Sequence, residues 1–525
     1  MPMKAQLLLL LLLACLVSPA GSHAAEARPN ILFAIADDWG LHAGAYGTTW
    51  VKTPAFDRIA REGLLFTRAY TPVAKCAPSR AIILTGRHAW QNGEAGNHLA
   101  FFPASMKVWP EVLTEKGWHM GITGKGWGPG SAKDATGQPR RLTGQPFNQH
   151  KAKPLTPEIA DNDYAANFTA FLNAAPGGAP WCFWYGSTEP HRGYEFQSGA
   201  RKGGKKITDI PSVPAYWPDD EIVRHDMLDY AFEVEHTDQH LARMIAELEK
   251  RGQLDRTLII VTSDHGMPFP RCKGYAYEDA NHIPLAIRWP GGINKPGRVI
   301  HDFVNFTDLA PTLLDYAGIT AMNSGMMEIT GQSWRPILES PLAGRIVPAR
   351  DHTLIGKERT DVGRPHDQGY PIRGIVTEDA LYLKNYEPSR WPAGNPETGY
   401  PDTDGSPTKS LILGRGRQDR RDPFWQLNFG LRPAEEFYDL KTDQACAQNL
   451  AGTPALADRI KDLRQRMEAG LKAQQDPRMS GQGHLFDHYP PTAGAGFHEK
   501  IMRGEKPKAN WLNETDFEPP PVPQP

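Results

Sequence analysis

The sequence predicts an α/β fold: a large mixed sheet sandwiched by helices, followed by a smaller C-terminal α+β domain. Three observations point to it. Short apolar runs recur at Asn30 to Ala36, Trp118 to Thr123, Trp181 to Ser187, Thr257 to Ser263 and Pro284 to Trp289, and such uninterrupted runs suit strands buried on both faces. Segments of helical texture separate them, from the Thr53-Pro54 start to the Gly63 stop, then Val108 to Lys116, Ile159 to Asn173 and Asp226 to Arg251. From about Pro371 the texture changes to shorter strand candidates, Ile372 to Val376, Leu381 to Asn385 and Glu436 to Leu440, with a helix from Pro454 to Lys472.

The domain plan follows from these boundaries. Residues 25–370 form the large domain that carries the chemistry, and residues 371–490 the smaller one, interrupted by a long loop from Glu387 to Arg421. Residues 491–525 read as an extended tail that ends in Glu518-Pro-Pro-Pro-Val-Pro-Gln-Pro525. Residues 1–24 read as a cleaved export signal: Lys4, an apolar run from Leu7 to Val17, then Ser22-His23-Ala24. The expected location is therefore secreted or periplasmic. Cys15 lies inside the apolar run by accident of composition rather than as a lipid attachment site. No later stretch of about 20 uninterrupted apolar residues offers a transmembrane segment.

Charge and cysteine content exclude other classes. The 58 basic and 60 acidic residues nearly cancel, which argues against a surface built to grip nucleic acid. Five cysteines, four without the signal, are too few for a disulfide scaffold, so each needs its own explanation. Cys182, within Trp181-Cys182-Phe183-Trp184-Tyr185, reads as a packed small hydrophobe.

In open α/β sheets ligands bind at the carboxyl ends of strands, and the chemistry-bearing residues cluster there. Asp37-Asp38 follow the first strand directly, and Asp264-His265-Gly266 follow the Thr257 strand. Adjacent carboxylates in a crevice repel one another unless a cation neutralises them, and an oxygen-rich set suits Ca²⁺ or Mg²⁺. Taken alone, a strand-end Asp pair is as often a turn or a helix cap. Cys76-Ala77-Pro78-Ser79-Arg80 is followed by Leu84-Thr85-Gly86-Arg87, and the segment after Pro78 is expected to open a helix whose N-terminus faces an anion.

At the Cys76 motif the sequence resembles the type I sulfatases of the alkaline phosphatase superfamily. The resemblance implies an alkaline-phosphatase-like sheet and the oxidation of Cys76 to formylglycine by a maturation enzyme. One hydroxyl of the aldehyde hydrate attacks sulfur, and the other lets the sulfated adduct collapse back to aldehyde. The resemblance further implies a calcium ion held by Asp37, Asp38, Asp264 and His265, with the modified Cys76 completing its sphere. His265 as a ligand must be neutral, so metal affinity should fall as the ring is protonated.

Arg80 is expected to hold the hydrate and offset charge. Lys125, in Gly124-Lys125-Gly126, and Lys273, in Arg271-Cys272-Lys273, fall where the family places sulfate-binding cations. His191, in Glu189-Pro190-His191-Arg192, is the candidate general acid for the departing atom. One departure stands out: many sulfatases carry a histidine two residues after the first lysine, and this chain has Trp127. His98 is the nearest candidate to replace it, with water or a metal-bound hydroxyl as alternatives.

Within the family the strings around Cys76, Gln91-Asn92-Gly93, Glu189 to Arg192, Asp264 to Pro270 and Ala310 to Asp315 are most similar to the heparan N-sulfatases. Lys273 stands where those enzymes carry arginine, and Trp127 replaces their histidine. Both changes fall in the sulfate pocket and leave N-sulfate and O-sulfate both open as the linkage. The implied substrate is a sulfated glycan. Glu358, Arg359 and His366, near the predicted domain junction, are candidate sugar contacts beside Lys125, His191 and Lys273. The basic clusters Arg201 to Lys206 and Arg415 to Arg421 read equally as glycan contacts or as solvated loop charge. Two other functions compete: a phosphonate monoester or phosphodiester hydrolase, which shares the Cys-x-Pro-Ser-Arg motif and metal site, and a non-catalytic glycan-binding protein.

Overall fold

The computed structural model describes residues 28–519; the expected signal at 1–24, Cys15 and the end of the proline-rich tail lie outside the described residues. Eight strands build the large sheet: β1 Asn30–Ala36, β2 Leu64–Phe66, β3 His119–Gly124, β4 Gln145–Pro146, β5 Trp181–Gly186, β6 Thr257–Ser263, β7 Leu285–Arg288 and β8 Arg298–Ile300. Their order is β8-β2-β7-β6-β1-β5-β3-β4, and β7 alone runs against the others.

The apolar runs explain the layering. Successive side chains of a strand point to opposite faces. Leu32, Ala34 and Ala36 join one core, which helices Pro54–Glu62, Tyr164–Ala174 and Glu221–Lys250 cover. Ile31, Phe33 and Ile35 join the other, covered by Cys76–Thr85, Trp109–Glu115 and Leu309–Tyr316. The long helix starts at Asp220, whose carboxylate accepts the Ile222 N–H at 2.8 Å. Further along it, Asp238 caps the Pro54 helix by accepting the Ala55 and Phe56 N–H groups.

The second sheet is antiparallel, β9 His352–Lys357, β10 Ile372–Thr377, β11 Ala380–Asn385 and β12 Glu435–Asp439. One face, with Leu354, Ile375, Tyr382 and Phe437, packs on helix Ala457–Ala473. The other, with Ile355, Ile372, Val376 and Leu381, is continuous with the core of the large sheet. All four cysteines among the described residues, Cys76, Cys182, Cys272 and Cys446, are buried and unbridged. No helix among the described residues is long and apolar enough to cross a membrane.

Two expectations are corrected. The Glu387 to Arg421 loop contains helix Pro407–Gln418, started by the Ser406 hydroxyl accepting the Lys409 N–H at 3.0 Å. Its two glycines weaken the helical signal, and one is forced: a Cβ on Gly416 would stand 2.0 Å from the Trp425 ring. The tail expected over 491–525 is not extended as far as it is described. It carries helix Phe497–Met502, and Asp516 is fully buried against Lys409.

The core also holds a pH liability. His88 is buried and stacked on Trp90 at 4.5 Å, and its Nδ1 has no hydrogen-bond partner. Burial, reinforced by the Arg373 charge, pushes the ring down to about 3. The unfolded chain then takes up a proton that the folded one refuses, so this contribution is complete above pH 6.5 and lost as the pH falls toward 3. Between pH 7 and 5 it removes about 2 kcal/mol. His88→Gln should shrink the wild-type loss of stability over that interval by this amount, read from urea midpoints at the two pH values. Equal losses in both proteins would contradict it.

Candidate active site

The register of the parallel strands brings their carboxyl ends into line: Ala36 pairs with Ser263, Ile35 with Gly186, and Gly186 with Gly124. The residues that follow these four ends therefore meet. Glycine permits the tight crossing at β3 and β5. Gly124 has φ +75°, and a Cβ there would stand 2.0 Å from the Gly186 carbonyl oxygen, while one on Gly186 would stand 1.9 Å from that of Lys125. Asp38 takes a left-handed turn at φ 69°, tolerated by Asp, with its N–H donating to Asp264 Oδ1 at 3.0 Å.

Cys76 is the first residue of its helix, so the helix opens two residues earlier than expected. Pro78 fits the first turn because the N–H it lacks has no partner there. Ser79 fixes the helix to β6, its hydroxyl donating to the Asp264 carbonyl at 2.6 Å and accepting from Thr71 at 2.9 Å.

Cys76 Sγ lies 3.5 Å from Asp37 Oδ1, 3.8 Å from Asp38 Oδ1 and 3.5 Å from His265 Nε2. Arg80 is fully buried and bridges the acids of the two strand ends, Asp37 and Asp264. Its Nε donates to Asp264 Oδ2 at 2.9 Å, its Nη2 to Asp37 Oδ1 at 3.1 Å and its Nη1 to the Lys125 and Gly126 carbonyls. Lys125 Nζ donates to Asp37 Oδ2 at 2.5 Å. Lys273 Nζ divides itself between Asp38 Oδ2 and Asp404 Oδ2, both at 2.6 Å.

Electrostatics follow from this pairing. Burial alone pushes the Asp37 carboxyl up, but Lys125 and Arg80 outweigh it and hold the group far below the usual carboxylate range. Asp38 behaves likewise, with Lys273 and His265 overcoming burial. Burial opposes charge on His265, yet Asp264 and Asp38 outweigh it and raise the ring well above its ordinary value.

The donor chemistry fits a hard cation. Asp38, Asp264, His265 and Cys76 each place one ligand atom within 4.8 Å of the others, all buried. His265 Nδ1 lies 2.9 Å from the Gly266 carbonyl, so it donates there and Nε2 points at Asp38 Oδ1, 2.9 Å away. An imidazole lone pair facing a carboxylate at that distance needs a proton or a cation between them.

His191 lies at the rim, with a third of its side chain exposed and Nε2 3.9 Å from Asp38 Oδ2. Its loop is anchored from behind by Arg192, whose guanidinium forks onto Asp226 of the long helix at 2.6 and 2.9 Å. Glu189 is buried as an acceptor for Ser187, Tyr164 and the Ala160 N–H.

Several expected site residues lie elsewhere. His98 is buried with Nδ1 3.5 Å from Asp361 Oδ2, and burial lowers its ring to about 4; its acidic partner is Asp361, and it does not join the Cys76 cluster. Glu358 is buried and enclosed by Arg373 and Arg478 at 2.7 and 2.6 Å, the partners that a buried charge needs. Arg359 is buried, with Nη1 on the Tyr489 carbonyl at 2.5 Å. His366 is largely exposed and near Glu499, apart from the cluster. The basic loops are internally paired, Lys202 with Glu195, Lys205 with Glu235, Arg415 with Asp422 and Arg420 with Glu518. Trp127, at the family's histidine position, donates to the Ala77 carbonyl at 3.0 Å and packs edge-on to Phe102.

Asp404 and Lys75 are the residues that sequence reasoning missed. Asp404 lies in a Gly- and Pro-rich stretch where aspartates ordinarily mark turns, so its sequence context carries no signal. Lys75 is buried, with Nζ on the Asp402 carbonyl at 3.0 Å and 3.5 Å from Asp361.

Three carboxylates, two ammonium groups and a helix N-terminus converging at strand ends suit a hydrolase of an anionic ester. The chain belongs to the sulfatase family, whose model, described as Sulfatase, matches residues 29–319. It is a sulfatase, a hydrolase of sulfate esters or sulfamate. It is similar to human N-sulphoglucosamine sulphohydrolase, 28% identical over 481 residues that cover 86% of this chain and 92% of that protein. A solved chain in complex with its substrate D-glucosamine-2-N,6-O-disulfate matches with a TM-score of 0.59 at 21% identity, covering 86% of this chain and 98% of that one. Phosphonate monoester hydrolase from Silicibacter pomeroyi matches with 0.56 at 19% identity, covering 86% and 97%. At these identities the two structures speak to the fold alone.

Proposed function

We propose that this sulfatase is exported through its 1–24 segment and removes sulfate from a sulfated glycan, an N-sulfoglucosamine or a sugar O-sulfate. Cys76 would be oxidised to formylglycine, and Asp37, Asp38, Asp264 and His265 would hold calcium. The observation that carries the reading is the meeting of Cys76, Lys125 and Lys273 around one carboxylate cluster. The names of the human relative and of the disulfated ligand support an amino sugar.

When present, the formylglycine hydrate supplies an oxygen nucleophile, and the cation offsets sulfate charge. The chain's own residues do the rest. Arg80 bridges Asp37 and Asp264 and helps hold the Asp37 carboxyl ionised. Lys125 and Lys273 approach the Cys76 position from the Asp37 and Asp38 sides, placed to hold sulfate oxygens as charge develops on them. His191 Nδ1 donates to the Arg192 carbonyl at 2.5 Å, so in the imidazolium form the ring presents an Nε2–H to protonate the departing atom and is left neutral. The maturation enzyme that oxidises Cys76 is the implied protein partner.

Protein purified from its native host, incubated with N-sulfated and O-sulfated mono- and disaccharides and scored for free sulfate, tests the reading, with mass spectrometry of the Cys76 peptide alongside. Faster turnover of a phosphonate monoester or phosphodiester would favour the competing hydrolase, and an unmodified Cys76 would count against the mechanism. Stripping cations with a chelator should lower the melting midpoint, and added calcium should restore it. A site at 100 times its Kd contributes about 2.7 kcal/mol. A midpoint indifferent to chelation and calcium would leave the cluster a protonated network.

A further inference from the structure

Asp404 lies beside Asp38, His191 and Lys273, on a loop that the C-terminal half of the chain holds in place. Lys409 Nζ donates to the carbonyls of Gly399, Tyr400 and Thr403 at 2.8, 3.2 and 2.8 Å, and lies 3.1 Å from Asp516. Trp511 adds two bonds, its ring N–H to the Pro401 carbonyl at 3.2 Å and its own carbonyl to the Gly405 N–H at 2.7 Å. Asp402 is tied to Arg364 at 2.6 Å and Lys357 at 3.2 Å. An ammonium group that spends its donors on loop carbonyls fixes backbone rather than binding ligand, so the loop is organised before any substrate arrives.

What this fixes is a buried carboxylate with one oxygen to spare. Asp404 is 5% exposed, and its Oδ2 accepts from Lys273. Oδ1 makes no hydrogen bond to any described residue. One carboxylate oxygen of Asp404 lies within 4.8 Å of ligand atoms of both Asp38 and His191. The Asp404 carboxylate therefore has capacity to accept one further donor, which a substrate could bring. Sulfate oxygens are acceptors only. The atom that bridges sulfur to the sugar differs between substrates: an ester oxygen carries no hydrogen, and a sulfamate nitrogen carries one.

We propose that Asp404 is a specificity-determining residue, its Oδ1 accepting the bridging N–H of an N-sulfated amino sugar beside His191. This rests on the sulfatase reading above and narrows it. An O-sulfate in the same pose forfeits the bond and sets its ester oxygen against a carboxylate. Lys409 and Asp516 act as positioning residues through the loop.

The test compares kcat/KM for N-sulfoglucosamine and glucosamine 6-sulfate in enzyme matured with oxidised Cys76. In Asp404→Asn the amide carbonyl stays on Lys273 and the NH₂ turns to where Oδ1 stood, an acceptor exchanged for a donor. The wild type should prefer the N-sulfate, and the variant's N-over-O ratio should fall by about 100-fold. Asp516→Asn, which loosens the loop without entering the pocket, should lower the same ratio by a smaller factor and serves if the first variant fails to fold. Equal losses on both substrates would reduce Asp404 to a support for Lys273 and overturn the proposal, as would a wild type that prefers the O-sulfate. If the wild type releases sulfate from neither sugar nor from an aryl sulfate, the sulfatase reading of the site fails instead.

Discussion

Cys76→Ala is expected to lose sulfate release by at least about 10⁴-fold, the scale on which removal of a nucleophile acts when binding groups stay in place. Its unfolding midpoint should remain within about 1 kcal/mol of wild type. The two halves of this expectation come from different contacts. Sγ lies against Asp37, Asp38 and His265, where an atom carried on residue 76 meets the carboxylate cluster. Yet the carboxylates keep their partners without it: Asp37 retains Arg80 and Lys125, Asp38 retains Lys273, and Asp264 retains Arg80. Cys76→Ser should be equally inactive unless the host's maturation enzyme also oxidises serine. Free-sulfate kinetics and a denaturant titration on the same preparations check both halves. Turnover within tenfold of wild type would place the nucleophile elsewhere.

Five of the large sheet's eight strands were legible because strands buried on both faces leave long apolar runs, and two of the parallel runs stop where a charged residue turns into the site. Ala36 before Asp37-Asp38 and Ser263 before Asp264-His265 are two such stops, so sheet and site were read from the same signal. Helix Pro407–Gln418 was not legible. Gly414 and Gly416 dilute its pattern, and the Trp425 contact that requires Gly416 is a tertiary fact. Asp404 was missed for a related reason: it reaches Lys273 across 131 positions, from a turn-like stretch whose local chemistry is ordinary. Glu358 shows the reverse: a charged residue near a domain junction reads as a ligand contact, whereas its carboxylate is buried in ion pairs with Arg373 and Arg478.

Arg80→Met should destabilise the protein by about 3–5 kcal/mol, because it leaves buried carboxylates without their shared cation. Arg80 is wholly enclosed, and each nitrogen of its guanidinium donates: to Asp264, to Asp37 and to the Lys125 and Gly126 carbonyls. A methionine fills much of the volume, so the loss reports charge and hydrogen bonding rather than a void. Arg80→Lys should recover only part of it, since one ammonium cannot fork onto two acids and two carbonyls. Asp37 titrates far below the ordinary carboxylate value in the folded chain. Its paired contribution is therefore complete above the unfolded value of 3.8 and disappears only as the pH falls beneath it, so the comparison belongs at neutral pH. Calcium sharpens the test. A cation among the same acids offsets part of the charge that Arg80 balances, so the penalty should be larger in chelator than in calcium, measured as denaturant midpoints of wild type and variant in both buffers. If Arg80→Met unfolds at the wild-type midpoint in chelator, the arginine is not what holds Asp37 and Asp264 together.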